Sequence, residues 1–427
     1  MKKLSVILCL SVIVLLLASL AMAGGINNKQ NFSIEYDRTA SRNAANNSAD
    51  AAVYNPAGVM QLEDGFYLNA GGFYVMKDYS NTIGGAEYSS DDPSLIPSLI
   101  GLYKKGDWAA FGAITIPGGG GEVTYGNGSA TTQGYGTLLI AGANYALTQP
   151  PYSLPPAAFY DTVTSQSLEA ESIYYGLSLG GAYEVNDLVS VAAGMRFIKA
   201  DKESKASMTI GPSTLGILYS IPEQTFDIAY EETADGMGGF LGVNIAPNDS
   251  LNIGMRYETS TKLGFETDLN TDDTGMLTDG AKEKDDLPGL LGIGVGYNIN
   301  PDLRLDTSIT YYFEKEATRE DPRFDDVGNG YDLAMALEYA FNEMLKGSAG
   351  YMRTIVDISP DNMQPEAAEL DAHTVAAGIA YTLRPGLDLN FSLMKNIYNS
   401  QTRSDGIELH KKLFCLGFGV QYKFSAP

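Results

Sequence analysis

The chain has 427 residues, with 28 Lys and Arg against 52 Asp and Glu, a formal net charge of -24. So negative a balance excludes a polyanionic partner, nucleic acid above all. Mean hydropathy is only -0.10, and after the first apolar run no stretch is long enough to cross a bilayer as a helix. That combination leaves room for strands that are apolar on one side only.

Met1-Lys2-Lys3, the apolar run Leu4–Leu20 and Ala21-Met22-Ala23 predict a secretory signal peptide over residues 1–23, cleaved before Gly24. Cys9 lies inside it. Cleavage leaves Cys415 alone, so no internal disulfide is expected. Residues 24–63 lack sustained alternation and are too few for an independent domain. Beside a barrel they read as a plug, or hatch, in its lumen. Within this segment Arg42–Met60 carries an alanine-rich stretch and then Asn55-Pro56-Ala57-Gly58. Pro56 fixes φ, and Gly58 is expected to permit a sharp turn.

The remainder, 64–427, is expected to be barrel. Gly65–Lys77, Ile96–Lys104 and Trp108–Ile116 read as strands. Pro117–Glu171 is expected as one long outer loop, holding the apolar patch Leu138–Ala146 and the proline-rich stretch Pro150–Tyr160. A strand over Leu138–Leu147 would give an odd total, whereas a closed antiparallel barrel with both ends on one side needs an even one.

The second half alternates clearly. Ser172–Glu184 sets Tyr175, Leu177, Leu179 and Tyr183 against Tyr174, Gly176, Ser178 and Gly180. Leu251–Glu266 and Asp302–Glu314 follow the same rule, as do Leu291–Ile299, Tyr331–Phe341, Val375–Tyr381, Leu387–Leu393 and Phe414–Phe424. A period of two over about ten residues, many times repeated, predicts a transmembrane antiparallel β-barrel of fourteen strands. Short turns such as Val185–Asp187, Asn298–Asp302 and Leu383–Gly386 alternate with longer links such as Ala206–Pro222, Thr271–Asp286 and Asp357–Ala368. Tyr183, Tyr297, Tyr339, Tyr381 and Tyr422 hold matching outward positions near the short-turn side, as an interfacial girdle requires. Such a chain belongs in a bacterial outer membrane, against lipid and lipopolysaccharide, and is expected to be a monomer.

Function narrows by residue type. The only histidines, His373 and His410, sit near strand ends in no spacing that suggests a nucleophile–histidine–carboxylate set. No metal-ligand cluster or cofactor motif appears. The acidic loop Glu266–Asp286 reads as a solvated surface, with calcium bridging as an alternative. A wide porin should line its lumen with long charged side chains. Here inward charges (Arg196, Arg256, Glu258, Arg304, Asp306) mix with Gly292, Gly294, Gly296, Gly417 and Gly419, small enough for a hatch backbone to pack closely.

The Asn55–Gly58 segment after its alanine-rich stretch, the Gly-rich strand through Ala234–Glu258 with its Ala246-Pro247 turn, Leu287-Pro288 and Asp371-Ala372-His373 occur in order. Together they resemble the long-chain fatty acid transporter family of outer-membrane proteins (FadL/TodX type) over nearly all of the mature chain. This hatch has less glycine and more asparagine than the family pattern, and Ser425-Ala426-Pro427 extends past the terminal Phe424 that the assembly machinery reads.

The resemblance implies passive transport of long-chain fatty acids or similar hydrophobic compounds, with capture among the outer loops, passage through a hatch-gated pocket and release toward the membrane. It assigns hatch and gating roles to Asn55, Pro56, Ala57 and Gly58. The loop residues Leu138, Leu139, Ile140 and Tyr160 are candidates for capture. The inward Tyr174, Leu290, Tyr312 and Met394 are candidates for ligand contact, with packing against the hatch as the alternative reading. An aromatic-hydrocarbon channel, a general porin and an outer-membrane enzyme are the rival functions.

Overall fold

The computed structural model describes residues 28–424. The expected signal peptide with Cys9, the residues next to its cleavage site and the Ser425–Pro427 tail lie outside the described residues.

Eighteen paired segments form one antiparallel sheet. Four are short pieces in the outer links (Ala86–Ser90, Gly264–Asp272, Lys282–Lys284, Gln401–Thr402), and fourteen are barrel strands. These are β1 (Gly65–Ile83), β2 (Ser94–Lys105), β3 (Trp108–Tyr125), β4 (Tyr160–Asn186), β5 (Val189–Pro212), β6 (Gln224–Asn248) and β7 (Leu251–Glu258). They continue as β8 (Leu290–Asn300), β9 (Leu303–Tyr312), β10 (Tyr331–Ala340), β11 (Leu345–Ile355), β12 (Ala372–Arg384), β13 (Leu387–Tyr398) and β14 (Glu408–Phe424). β14 closes the barrel on β1, from Phe66 opposite Phe424 to Thr82 opposite Glu408. Closure removes the free sheet edges that a membrane-spanning sheet cannot leave in lipid.

Alternation then sorts the side chains. Leu177, Leu179, Tyr183, Leu241, Met335 and Leu393 are exposed on the outer face, while Arg196, Arg256, Asp306 and Asn390 are buried inside. The girdle tyrosines Tyr183, Tyr297 and Tyr339 are exposed, and Trp108 joins them through an edge contact with Tyr103, centroids 5.5 Å apart. A closed wall with an apolar outer belt and polar interior is a membrane-spanning barrel.

Two expectations change. The link 117–171 is not one irregular loop. β3 runs on to Tyr125 and β4 starts at Tyr160, with the 19-residue helix α1 (Ala130–Thr148) between them. Ser129 and Thr132 form a reciprocal capping box at its start. The strands were invisible here because beyond the membrane neither face must be apolar, so the period-two signal fades while the ladder continues. Leu251–Glu266 is also not one strand. After Glu258 the chain turns inward through residues 259–263. Gly239 N donates to Thr259 Oγ1 (2.9 Å) in place of the regular ladder, and Leu263 packs with Tyr174, Ile198, Phe265 and Leu287.

The N-terminal segment fills the lumen. It contains α2 (Ile34–Asp37), α3 (Ala51–Tyr54) and a 3₁₀ turn over Pro56–Gln61. Tyr54 stacks on Phe32 and Tyr36, and its hydroxyl accepts from Phe32 N (2.7 Å) and donates to Gln30 O (2.6 Å). Arg42 pairs with Asp50 at 2.6 Å.

Candidate ligand cavity and wall gap

The hatch is fixed to the wall by polar side chains that the lumen supplies. Arg38 pairs with Glu338 (2.5 Å), Arg304 donates to Asn46 Oδ1 and Ala44 O, and Asn43 donates to Thr310 Oγ1. Arg256 reaches Val53 O and Gln30 Oε1. Lumen glycines give the backbone its approach: a Cβ at Gly254 would lie 2.2 Å from Asn43 O, and one at Gly294 2.4 Å from Ala44 N. Gly417 and Gly419 do the same for Ile34. The inward charges noted in the sequence are paired, Arg196 with Glu258 at 2.5 Å and Arg304 with Asp306 at 2.8 Å. They line a filled lumen.

The Asn55–Gly58 motif is part of this anchoring. Asn55 Nδ2 donates to Ala45 O (2.9 Å) and Asn244 Oδ1 (2.7 Å), and Ala57 O accepts from Ser190 Oγ (2.8 Å). Gly58 does not adopt a positive φ. It is needed for space, since a Cβ would meet Ala45 O at 2.4 Å. The expected sharp turn is therefore a close contact instead. None of the four residues lines the apolar cavity beside the hatch.

That cavity lies between the hatch and the wall. Apolar groups dominate its lining: Tyr36, Val75, Ile96, Ile116, Tyr312, Met352, Met394, Tyr398, Leu413 and Cys415. The polar minority is Lys29, Gln30, Asn31, Asp332, Thr354, Thr374 and Asn396. Both Asp332 oxygens are taken, one by Tyr312 Oη (2.7 Å) and one by Thr354 Oγ1 (2.6 Å).

The wall beside the cavity is incomplete. β1–β2 pairing extends to Val75 opposite Ser94, but β2–β3 pairing stops at Leu99 opposite Ile114. Five residues of β2, from Ser94 to Ser98, therefore lack a ladder partner in β3. On its other side β3 carries two one-residue bulges against β4, between Thr115 and Gly118 and between Gly119 and Gly121. Sequence explains this. Pro117 has no N–H for the ladder, and Gly119 and Gly121 both sit at φ +75°, a left-handed conformation costly for other residues. A Cβ on Gly119 would also lie 2.2 Å from Ser172 O. Pro117 O turns to the hatch and accepts from Lys29 N (2.8 Å). Lys77 Nζ spans the outer margin, donating to Ser94 Oγ (2.8 Å), Gly120 O (3.1 Å) and Glu122 O (2.5 Å). Ile96, Ile116, Gly119 and Gly120, from both sides of the gap, line the cavity itself.

Of the eight side chains picked from sequence, Tyr312 and Met394 line this cavity. Tyr174 and Leu290 are buried elsewhere in the lumen. Leu139 and Tyr160 are buried in an outer apolar cluster with Phe159, Met208 and Tyr230, against which Ile140 packs. Leu138 is exposed on α1, as are Tyr145 on the same helix and Tyr152 in the link after it. The link Asp357–Ala368 folds inward: Gln364 through Leu370 is buried, Asn81 donates to Pro365 O (3.3 Å) and Tyr125 to Glu366 O (2.9 Å). The signal that could have found the missed residues was the run Pro117–Gly121, unusable as regular strand, and the inward parity of Met352 and Leu413.

His373 bonds Tyr351 Oη, and His410 Nδ1 lies 2.7 Å from Ser400 Oγ. Glu408 stands 3.6 Å from His410 Nε2, beyond hydrogen-bond range, and the histidine and glutamate are both well exposed. Among the described residues no cluster of three or more metal-ligating side chains occurs.

No protein-family model and no curated protein matches the chain. Solved structures do. A Pseudomonas aeruginosa FadL homologue superposes with a TM-score of 0.65 at 14% identity, covering 94% of this chain and 100% of that one. The P. putida toluene transporter TodX gives 0.63 at 15% identity over 89% and 95%. The Ralstonia pickettii toluene transporter TbuX gives 0.60 at 15% over 93% and 100%. The chain has the fold of these barrels.

Proposed function

We propose that this protein is a passive channel of the bacterial outer membrane for hydrophobic compounds, long-chain fatty acids among them. The observation that carries the reading is an apolar cavity between the hatch and the wall whose side coincides with the unpaired stretch of β2. A ligand there can leave sideways into lipid without re-entering water. That matters because each exposed CH₂ costs about 0.8 kcal/mol, several kcal/mol for a long chain. Downhill partition then suffices and no energy source is required.

The hatch, with Asn55–Gly58 as its anchor, blocks the straight route down the lumen. The exposed apolar residues of α1 and the outer links, Leu138 and Tyr145 among them, would make first contact with ligand. The protein works as a monomer in lipid and lipopolysaccharide. Assembly machinery would read its last strand through Phe418, Tyr422 and Phe424. A second reading, an aromatic-hydrocarbon channel, has support in the Tyr36, Tyr312 and Tyr398 lining and in the toluene transporters that share the fold.

The test is uptake by cells lacking their own hydrophobic-compound channels and expressing this chain, using labelled oleate, toluene and a hydrophilic sugar. Uptake of either apolar probe without sugar leakage is expected. A folded barrel that passes only the sugar would replace this reading with a porin.

A further inference from the structure

The link between β11 and β12, residues 356–371, crosses the outer mouth of the barrel. It leaves the wall after Ile355 and returns at Ala372, yet its middle reaches strands on the far side. Gln364 and Glu366 line a small chamber with Leu168 and Ala170 of β4, Ser204 of β5 and Tyr230 of β6. In a ring of fourteen strands, β5 and β12 stand seven places apart, on opposite sides. Every residue from Met363 to Leu370 is buried. Beneath the link lies the apolar cavity, which Thr354 and Ala372 line at the two roots of the link. Lys411 joins the two levels: its ammonium stands 5.1 Å from the Tyr398 ring centroid and donates to Ala368 O at 3.3 Å.

This cover is held by side chains, and residues 356–371 belong to no paired strand. Asn81 of β1 donates to Pro365 O (3.3 Å), Tyr125 of β3 to Glu366 O (2.9 Å) and Arg403 to Met363 O (2.8 Å). Met363, Ala368 and Leu370 pack with Ala130, Phe324 and Ile407 from other outer segments. Lifting the link therefore breaks single contacts and leaves the wall intact. One buried charge works against closure. Glu366 is fully buried, and neither of its carboxylate oxygens has a hydrogen-bond partner among the described residues. Glu369 differs, because Arg323, Lys411 and Lys29 stand against it. A carboxylate withdrawn from water without a hydrogen bond disfavours the closed state, and lifting the link returns it to water. Resting on the transport reading above, we propose that the β11–β12 link is an outer gate, a lid that must lift before a hydrophobic ligand can pass from the cell exterior into the lumen. Hatch and lid then close the lumen from opposite ends, and the Glu366 carboxylate keeps the lid weakly shut.

The experiment follows lid opening in cells expressing the full chain. Ala367→Cys places a thiol in the buried part of the lid, where Ala367 packs with Tyr125 and Leu168. A membrane-impermeant maleimide added outside reports its exposure, with the wild-type chain and its buried Cys415 as the blank. Labelling is expected to be slow at rest and to accelerate when oleate is added. Two further variants shift the lid in opposite directions. Tyr125→Phe removes a bond that holds it shut and is expected to raise the initial rate of labelled-oleate uptake about two- to tenfold, the worth of one hydrogen bond. Glu366→Gln removes the buried charge and is expected to lower that rate. Wild-type uptake in both Y125F and E366Q would overturn the proposal. So would oleate uptake through an A367C barrel whose thiol stays protected throughout, or reacts at once without ligand. Each of these results leaves the transport reading standing. Absence of oleate and toluene uptake by the wild-type chain would overturn both.

Discussion

At the scale of single residues, Gly119 does the most to shape the wall. Gly119 holds φ at +75° with Ser172 O 2.2 Å from where a Cβ would stand. Gly119→Ala is expected to cost about 1–2 kcal/mol for the left-handed backbone, with further loss from the clash. Lower resistance to urea of the heat-modifiable band, with reduced oleate uptake, would register it; unchanged values of both would show that the bulge tolerates a side chain.

These residues also show what sequence could and could not say. Parity fixes which side chains point inward but not where round the lumen they fall. Tyr312 and Met394 thus reached the cavity, while Tyr174 and Leu290, with the same parity, did not. Lys29 sits in a segment without periodicity, where only its tertiary neighbours give it meaning.

At the scale of elements, the hatch is held by buried charge. Asp50 accepts from Arg42 and Ser33 at full burial, and Asp50→Asn, which leaves that guanidinium poorly paired, is expected to cost about 3–5 kcal/mol of hatch docking. Sugar leakage through an intact barrel would report it, and a tight D50N channel would contradict it. Two other carboxylates set a pH dependence. Burial raises Asp37 from 3.8 to about 7 despite the Ser392 hydroxyl, and burial, followed by the charge of Asp50, also raises Glu35. A pKa higher in the docked state means that docking is favoured by protonation. The contribution is fully present below about pH 4 and is lost as pH rises through about 7. Hydrogen exchange of the α2 amides, corrected for intrinsic rate, should be faster at pH 8 than at pH 5. Equal protection at both would count against it. The strands themselves were the most legible elements, because lipid on one side forces alternation. Their outer extensions and α1, surrounded by water and other loops, were under no such rule.

At the scale of the whole molecule, a closed barrel and a filled lumen leave a ligand few routes. Straight passage meets the hatch, whose contacts with Gly254, Gly294, Gly417 and Gly419 leave no slack. The wall opens where Pro117 and the glycines after it take β3 out of register. The fold was readable from the even strand count and the alternation of short and long links. The gap was not, because a glycine run above a predicted strand reads as loop.

The most direct test of lateral release is to remove one residue from each β3 bulge, Pro117 and Gly120, so that the strand can pair continuously with β2 and β4. Oleate uptake by cells carrying the straightened barrel is then measured beside wild type. Loss of uptake with oleate binding and heat-modifiability preserved is the expected result. Uptake at the wild-type rate through the sealed wall would show that ligand leaves by another path.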